Sequence, residues 1–243
     1  MRKSYNMSLK IIATLITSIA VIFASGCTSP IEGTGPQISK EISIEKFEEL
    51  NLEIPATVTL VMSDTVQCII KAQQNIIDVI RFENSGNELE ISSDKNFAGD
   101  SPIAIFLSTQ FIKELTLSGS GTIQSFNPIN TKSIDASLNG SGKISLIAMV
   151  DKLMANLNGS GSIILEGTAD KSDLRINGSG DIHAQDLITN KSKIEITGSG
   201  NASLFATAKL HAEITGSGVI DYKGNPELTS KITGSGEIQK KIK

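Results

Sequence analysis

The chain has 243 residues, 39% of them hydrophobic, with 22 basic against 26 acidic side chains and a formal net charge of −4. That balance leaves no basic patch or arm for a nucleic acid. Trp is absent and aromatics make up only 4% of the chain, which argues against an aromatic sugar-stacking platform but not against sugar binding as such.

Residues 1–26 read as an export signal rather than as part of the fold. Arg2, Lys3 and Lys10 form a basic start, and Ile11 to Phe23 is an apolar run of 13 residues. That run is too short for a transmembrane helix and right for a signal peptide. Ala24-Ser25-Gly26-Cys27 follows and resembles a bacterial lipobox, with Ala24 where Leu is usual. The resemblance implies that Cys27 becomes a lipidated N-terminus, and hence an outer membrane lipoprotein facing the periplasm or the cell surface. Ordinary cleavage after Ala24-Ser25-Gly26 is the alternative. Without residues 1–26, 19 basic residues face 26 acidic ones and the net charge is about −7.

Residues 27–40 then read as the lipidated Cys and a flexible tether, holding Pro30, Gly33, Gly35 and Pro36 with little apolar periodicity. With Cys27 lipidated, only Cys68 remains, so no intramolecular disulfide is expected. It lies in the strand-like run Val66-Gln67-Cys68-Ile69-Ile70 and reads as a small core residue.

Residues 41–110 alternate with period two, as strands with one buried face do. Leu50, Leu52 and Ile54 alternate, then Val58, Leu60 and Met62, later Leu89 and Ile91, and finally Ile103, Ile105 and Leu107. One short helical turn is expected between Gln74 and Ile80. Asn84-Ser85-Gly86-Asn87 looks like a hairpin connection. This segment is expected to continue or cap the repeat array that follows.

From residue 111 to 243 one tripeptide keeps returning. Gly-Ser-Gly begins at Gly119, Gly140, Gly159, Gly178, Gly198, Gly216 and Gly234, with spacings of 21, 19, 19, 20, 18 and 18 residues. Such regularity means that one unit stacks on the next. Apolar residues recur two before and four after each first Gly, as in Leu138 and Ile144 or Leu157 and Ile163. Each unit therefore reads as strand, Gly-Ser-Gly corner, strand, second turn. The second turns are placed at Asn127-Pro128, Gly167-Thr168-Ala169-Asp170 and Gly224-Asn225-Pro226. Nineteen residues trace about 60 Å of strand, enough for one coil, whereas a propeller blade needs about 40 residues.

The fold class is thus all-β: a single-stranded, parallel β-helix-like solenoid with Gly-Ser-Gly corners every ~19 residues. Ser120, Ser141, Ser160, Ser179, Ser199, Ser217 and Ser235 stack into one polar column. Ser118, Asn139, Asn158, Asn177, Thr197, Thr215 and Thr233 stack into another, able to hydrogen-bond coil to coil. A corner ladder is the plain reading of these columns, and a ligand-binding ridge of hydroxyls and amides is the alternative. At the far end, Glu237, Lys240, Lys241 and Lys243 put charge on the last coil and guard its edge.

Phe47-Glu48-Glu49-Leu50, Ala56-Thr57-Val58-Thr59-Leu60, Asn75 and Leu89-Glu90-Ile91 form a front half with a familiar pattern. Ile112 to Gly121, followed by repeated Gly-Ser-Gly strands, completes it. Over residues 42–240 the chain resembles the putative auto-transporter adhesin, head GIN domain family, common in exported Bacteroidetes lipoproteins. The resemblance implies a β-helix-like fold and export, and it brings no catalytic residues.

Sites of chemistry are sparse. His183 and His211 sit at outward positions without a Cys or His partner at ligand spacing, so no metal is expected. Asp173, Arg175 and Asp181 could meet around the Gly178 corner, and Glu195 and Glu213 on adjacent coils. A solvated charged face is their plain reading; a carbohydrate-active site is the sharper one. No dinucleotide, phosphate-loop or Gly-x-Ser-x-Gly pattern occurs, and no cofactor is expected. The reading is a lipid-anchored envelope module for adhesion or ligand binding without catalysis, held to the membrane and contacting glycan or protein. The alternative is an envelope structural or sensing component that self-associates into a homo-oligomer.

Overall fold

The computed structural model describes residues 29–99 and 101–241. Cys27 and the export signal lie outside the described residues. The strands are, in chain order, β1 (Gln37–Ile42), β2 (Glu49–Leu52), β3 (Thr57–Met62) and β4 (Gln67–Gln73), then the short helix α1 (Gln74–Ile77). β5 (Arg81–Ser85), β6 (Glu88–Ser92), β7 (Ala104–Thr109), β8 (Glu114–Gly119) and β9 (Thr122–Ser125) follow. The array comprises β10 (Ile129–Gly140), β11 (Lys143–Gly159), β12 (Ser162–Gly178), β13 (Asp181–Gly198) and β14 (Asn201–Gly216). β15 (Val219–Lys223), β16 (Glu227–Gly234) and β17 (Glu237–Lys240) end it.

These strands form one hydrogen-bonded sheet wound into a solenoid of about seven turns. Equivalent residues of successive units are parallel partners. Leu138 sits opposite Leu157, Leu157 opposite Ile176 and Ile176 opposite Ile196. The interior is therefore built of files of like side chains. Leu115, Ala136, Ala155, Leu174, Ile194 and Ala212 form one buried file, and Ile123, Ile144, Ile163 and Ile182 another. Burying each Leu or Ile stabilises the fold by about 1.5–3 kcal/mol, and period-two alternation delivers every second residue to that interior.

The front segment both continues the solenoid and caps it. β2 pairs with β6 on one side and β8 on the other, and β3 with β7 and β9. The stacking order is thus not the chain order: the coil made of β2 and β3 lies between the cap and the first Gly-Ser-Gly coil. Beneath it, β4 runs antiparallel to both β7 and β1, and β5 and β6 form an antiparallel hairpin. Gly86 (φ +63°) and Asn87 join the hairpin. Antiparallel pairing at this end denies an incoming parallel coil its template. Ile76 and Ile77 of α1 add buried side chains to the core there.

Two expectations need correction. Residues 27–40 are not a free tether throughout. Gln37–Ile42 is a strand, Ile31 bridges to Phe97, and the N–H groups of Gly33 and Thr34 donate to Ser101 Oγ (2.8 Å) and Asn75 Oδ1 (2.9 Å). Those backbone groups find partners on the cap, so the segment is bound to it. Second, Gly167-Thr168-Ala169-Asp170 is no break: β12 runs through it. The chain bends there, at Gly167 with φ +108°, while its ladder to the neighbouring coils carries on past a register shift against β13 between Ile164 and Glu166. The second corner is marked instead by two consecutive exposed residues, Asp151-Lys152 and Asp170-Lys171, which shift the buried alternation by one. At Asn127-Pro128 and Gly224-Asn225-Pro226 the strands do stop.

The two ends of the stack differ. Leu210 and Ile214 are 1% exposed, but their partners one coil up, Leu228 and Ile232, are 39% and 44% exposed. No described coil covers β16.

Candidate functional site

The Gly-Ser-Gly corners stack glycine on glycine: Gly140 pairs with Gly119 and Gly159, then Gly159 with Gly178, Gly178 with Gly198, Gly198 with Gly216 and Gly216 with Gly234. The Gly140 carbonyl accepts from the N–H groups of both Ser160 and Gly161 at 3.0 Å, and the Gly159 carbonyl from Ser179 and Gly180. One acceptor with two donors from the next coil recurs from Gly119 to Gly178, and at Gly198 and Gly216 the serine N–H alone donates. The first glycine of each corner has positive φ, +127° at Gly159, which an L side chain rarely adopts. The second glycine faces inward, so that a Cβ on Gly161 would lie 2.6 Å from the Gly142 carbonyl oxygen.

Beside the corner, Asn158 donates to Asn139 (2.9 Å) and Asn177 to Asn158 (3.0 Å), forming an amide ladder. Those amides are used on one another, which fits a structural ladder better than a ligand ridge. The serine column borders only a shallow depression along Ser120, Ser141 and Ser160.

A second depression lies at the second corner. Lys152, Lys171, Lys191 and Lys209 occupy the same register position on four successive strands, β11 to β14. They stand in file, with backbones about 4.8 Å apart. Like charges directly opposed across strands destabilise a sheet. Lys209 reaches Glu227, its partner on β16, at 3.8 Å. Among the described residues, Lys152, Lys171 and Lys191 have no carboxylate within 4 Å.

Next to this file runs an inward one: Leu153, Ser172, Ser192, Leu210. Two serines replace two leucines, and the missing volume makes a dent. Ser172 and Ser192 are 5% exposed, and their hydroxyls hydrogen-bond to each other at 2.7 Å. The result is a groove of about 380 Å³ along the solenoid axis, with the lysine file on one wall, the serines in its floor, and Asp173, Lys193 and His211 opposite. This file escaped the sequence reading, although it stands seven residues before each corner glycine from Gly159 to Gly216. Tracking the charged register as well as the apolar one would have found it.

The residues singled out for chemistry are arranged differently from expectation. Arg175 pairs with Asp173 (3.1 Å) and with Glu195 on the next coil (3.3 Å), and Lys193 pairs with Glu195 (2.6 Å). Asp181 does not join them: it accepts from Asn201 Nδ2 at 3.0 Å. The Lys193 hydrogen bond, more than the nearby Arg175, holds the Glu195 carboxyl below its ordinary value, so it stays ionised and suits no general acid. Glu213, in register with Glu195, accepts from His211 Nε2 at 3.0 Å, while His183 is exposed. Cys68 is fully buried, and burial pushes its thiol up to about 12.

At the capped end, Glu88, Glu49, Glu114 and Asp135 stand in register on four adjacent strands. Burial first, then Asp135, raises the Glu114 carboxyl, and burial raises Asp135. Among the described residues, no group of three or more His, Cys, Asp or Glu is arranged to hold a metal ion. No helix among them is long and apolar enough to cross a membrane.

Comparison with known proteins agrees with this architecture. A structure from Parabacteroides distasonis, described as a putative lipid binding protein, is 29% identical, with a TM-score of 0.73 over 88% of this chain and 100% of that one. A putative adhesin from Bacteroides fragilis is 24% identical, with a TM-score of 0.79 over 86% and 99%. Another from Parabacteroides merdae is 22% identical, with a TM-score of 0.70 over 87% and 99%; these last two bear on the fold alone. No curated protein matches the chain. The family model for the putative auto-transporter adhesin, head GIN domain, matches residues 46–226, and the chain belongs to that family.

Proposed function

We propose that this chain is an exported, lipid-anchored binding module of the bacterial envelope, an adhesin without catalysis that holds its ligand in the second-corner groove. The observation that carries this reading is the groove itself. Several coils converge on it, and its wall is a file of four lysines, three of which, Lys152, Lys171 and Lys191, have no carboxylate partner among the described residues. A purely structural face would gain by alternating their sign. The family description and the 29% identical neighbour described as a putative lipid binding protein support recognition rather than turnover. So does the pairing of the nearby carboxylates, which keeps Glu195 and Glu213 engaged with bases on their own face.

The test is a glycan and envelope-polymer binding screen on the purified chain, with light scattering on the same sample. Saturable binding by a monomer is the expected result; no binding to any class would refute it. A second reading has one observation in its favour: the uncovered β16, with Leu228 and Ile232 exposed, could stack against another copy. A concentration-dependent oligomer without ligand binding would establish that reading in its place.

A further inference from the structure

The lysine file also indicates what kind of ligand the groove takes. We infer that it binds an extended polyanion, a polymer with regularly spaced carboxylate or sulfate groups, lying along the solenoid axis. This rests on the proposal that the chain is a binding module.

Charge complementarity carries the inference. Four ammonium groups are placed by strand register, so the file spans three strand spacings, about 14 Å. One small anion would engage one or two of them, whereas a chain of anions can engage all four. The protein as a whole is acidic, at −4 for the full sequence, so a cationic file is no consequence of its general charge. An acidic polymer would be repelled elsewhere on the surface and drawn to this strip.

The floor adds a second, independent feature. The dent exists because Ser172 and Ser192 stand where Leu153 and Leu210 stand on the flanking coils. Two hydroxyls that share one hydrogen bond use one of their two hydrogens on each other. The second can be donated to an acceptor in the groove. Lys193, whose ammonium keeps N–H groups beyond the one given to Glu195, adds donors on the far wall, and Asp173 is held there by Arg175. An anionic polymer with hydroxyls or ring oxygens between its charges matches this lining. A bilayer surface would not enter a narrow dent with its headgroups in single file.

The test uses the full-length purified chain in neutral detergent, titrated with polygalacturonate, dextran sulfate and neutral dextran. Galacturonic acid, its tetramer and glycerol phosphate are run alongside. The expected result is binding of one or both polyanions, affinity rising from monomer to tetramer, weakening with added salt, and no binding of dextran. The polygalacturonate and dextran sulfate arms separate carboxylate from sulfate. Lys171→Gln/Lys191→Gln should weaken binding about tenfold, two exposed ion pairs being removed. Lys71→Gln/Lys95→Gln, both at the capped end away from the groove, should leave it unchanged. Ser172→Leu/Ser192→Leu restores the leucine file, fills the dent without changing charge, and should abolish binding while the protein still melts cooperatively.

Equal effects of the two lysine pairs, or binding indifferent to the serine pair, would overturn the inference. So would equal affinity for glycerol phosphate and the polymers, which would point to a lipid headgroup. Binding of neutral dextran without polyanions would overturn the ligand class and leave the binding-module reading intact. A screen in which nothing binds would remove both.

Discussion

Replacing Gly159 with alanine would set a Cβ 2.4 Å from the Gly140 carbonyl oxygen, on a residue whose φ is +127°. Two penalties are combined there, and the array separates them. Gly119 has φ +105° but nothing within 4 Å of where its Cβ would stand, so Gly119→Ala reports backbone strain alone. Gly161 has no positive φ, yet its Cβ would meet the Gly142 carbonyl at 2.6 Å and Leu138 Cδ2 at 2.7 Å, so Gly161→Ala reports close approach alone. Strain of the first kind costs about 1–3 kcal/mol. Overpacking of the second kind costs about 1–3 kcal/mol as well. Gly159→Ala should then lose roughly their sum, about 2–6 kcal/mol with a middle value of about 4 kcal/mol. Ser160→Ala removes an exposed hydroxyl and should stay within about 0.5 kcal/mol.

For a domain of this size, 1 kcal/mol shifts Tm by about 2–4 °C, so the middle loss of about 4 kcal/mol puts the Gly159→Ala melt roughly 8–16 °C below the parent. Thermal and urea melts on all four variants make the assay. Two probes are needed, because repeat arrays can unfold in parts. Small, equal losses at Gly159 and Ser160, or no loss at Gly119, would refute the account of the corner.

The remaining predictions follow from charge, burial and the anchor. The Glu114 carboxyl is raised above its ordinary 4.5, so the charged form weighs against the fold above that raised value, and the penalty vanishes below 4.5. Glu114→Gln should therefore raise Tm at pH 7, and the gain should close as pH falls towards 4.5; a gain independent of pH would contradict this. Cys68, buried and with its thiol pushed up to about 12, should resist maleimide in the native protein and react fully in denaturant. Lys171→Gln/Lys191→Gln should hold or raise Tm without ligand, because it relieves repulsion within the file; a fall of several degrees would show that the lysines stabilise the sheet. Cys27→Ala should move the protein from the membrane fraction to the soluble or secreted one, and unchanged fractionation would refute lipid anchoring.

Much of this architecture is legible in the sequence, because a solenoid repeats its constraints at a fixed interval. The apolar residues flanking each Gly-Ser-Gly, such as Leu157 and Ile163, are core residues in the structure. The hairpin at Gly86 and the helical turn at Gln74 also stand where local chemistry placed them. Less legible is the stacking order. Alternation shows that Leu50 and Leu52 face a core, but nothing local says that β2 pairs with both β6 and β8. Pairing between short strands is decided by the whole stack. Breaker residues misled at Gly167 because a ladder with partners on both sides can carry a bend without interruption.

The candidate site was hidden for a different reason. Attention to glycine and apolar spacing treats Lys171 and Ser172 as ordinary surface residues, when their meaning comes from Lys152, Lys191 and Ser192 one coil away. A serine in a leucine file is visible only once the register is written out.

The most direct test of the central claim is lysine footprinting. The purified chain is acylated at low reagent excess with and without polygalacturonate, and modification at each lysine is read by mass spectrometry. The account predicts protection of Lys152, Lys171, Lys191 and Lys209, with Lys71 and Lys95 at the capped end unchanged. Uniform modification in both samples, or protection confined to lysines outside the groove, would contradict it.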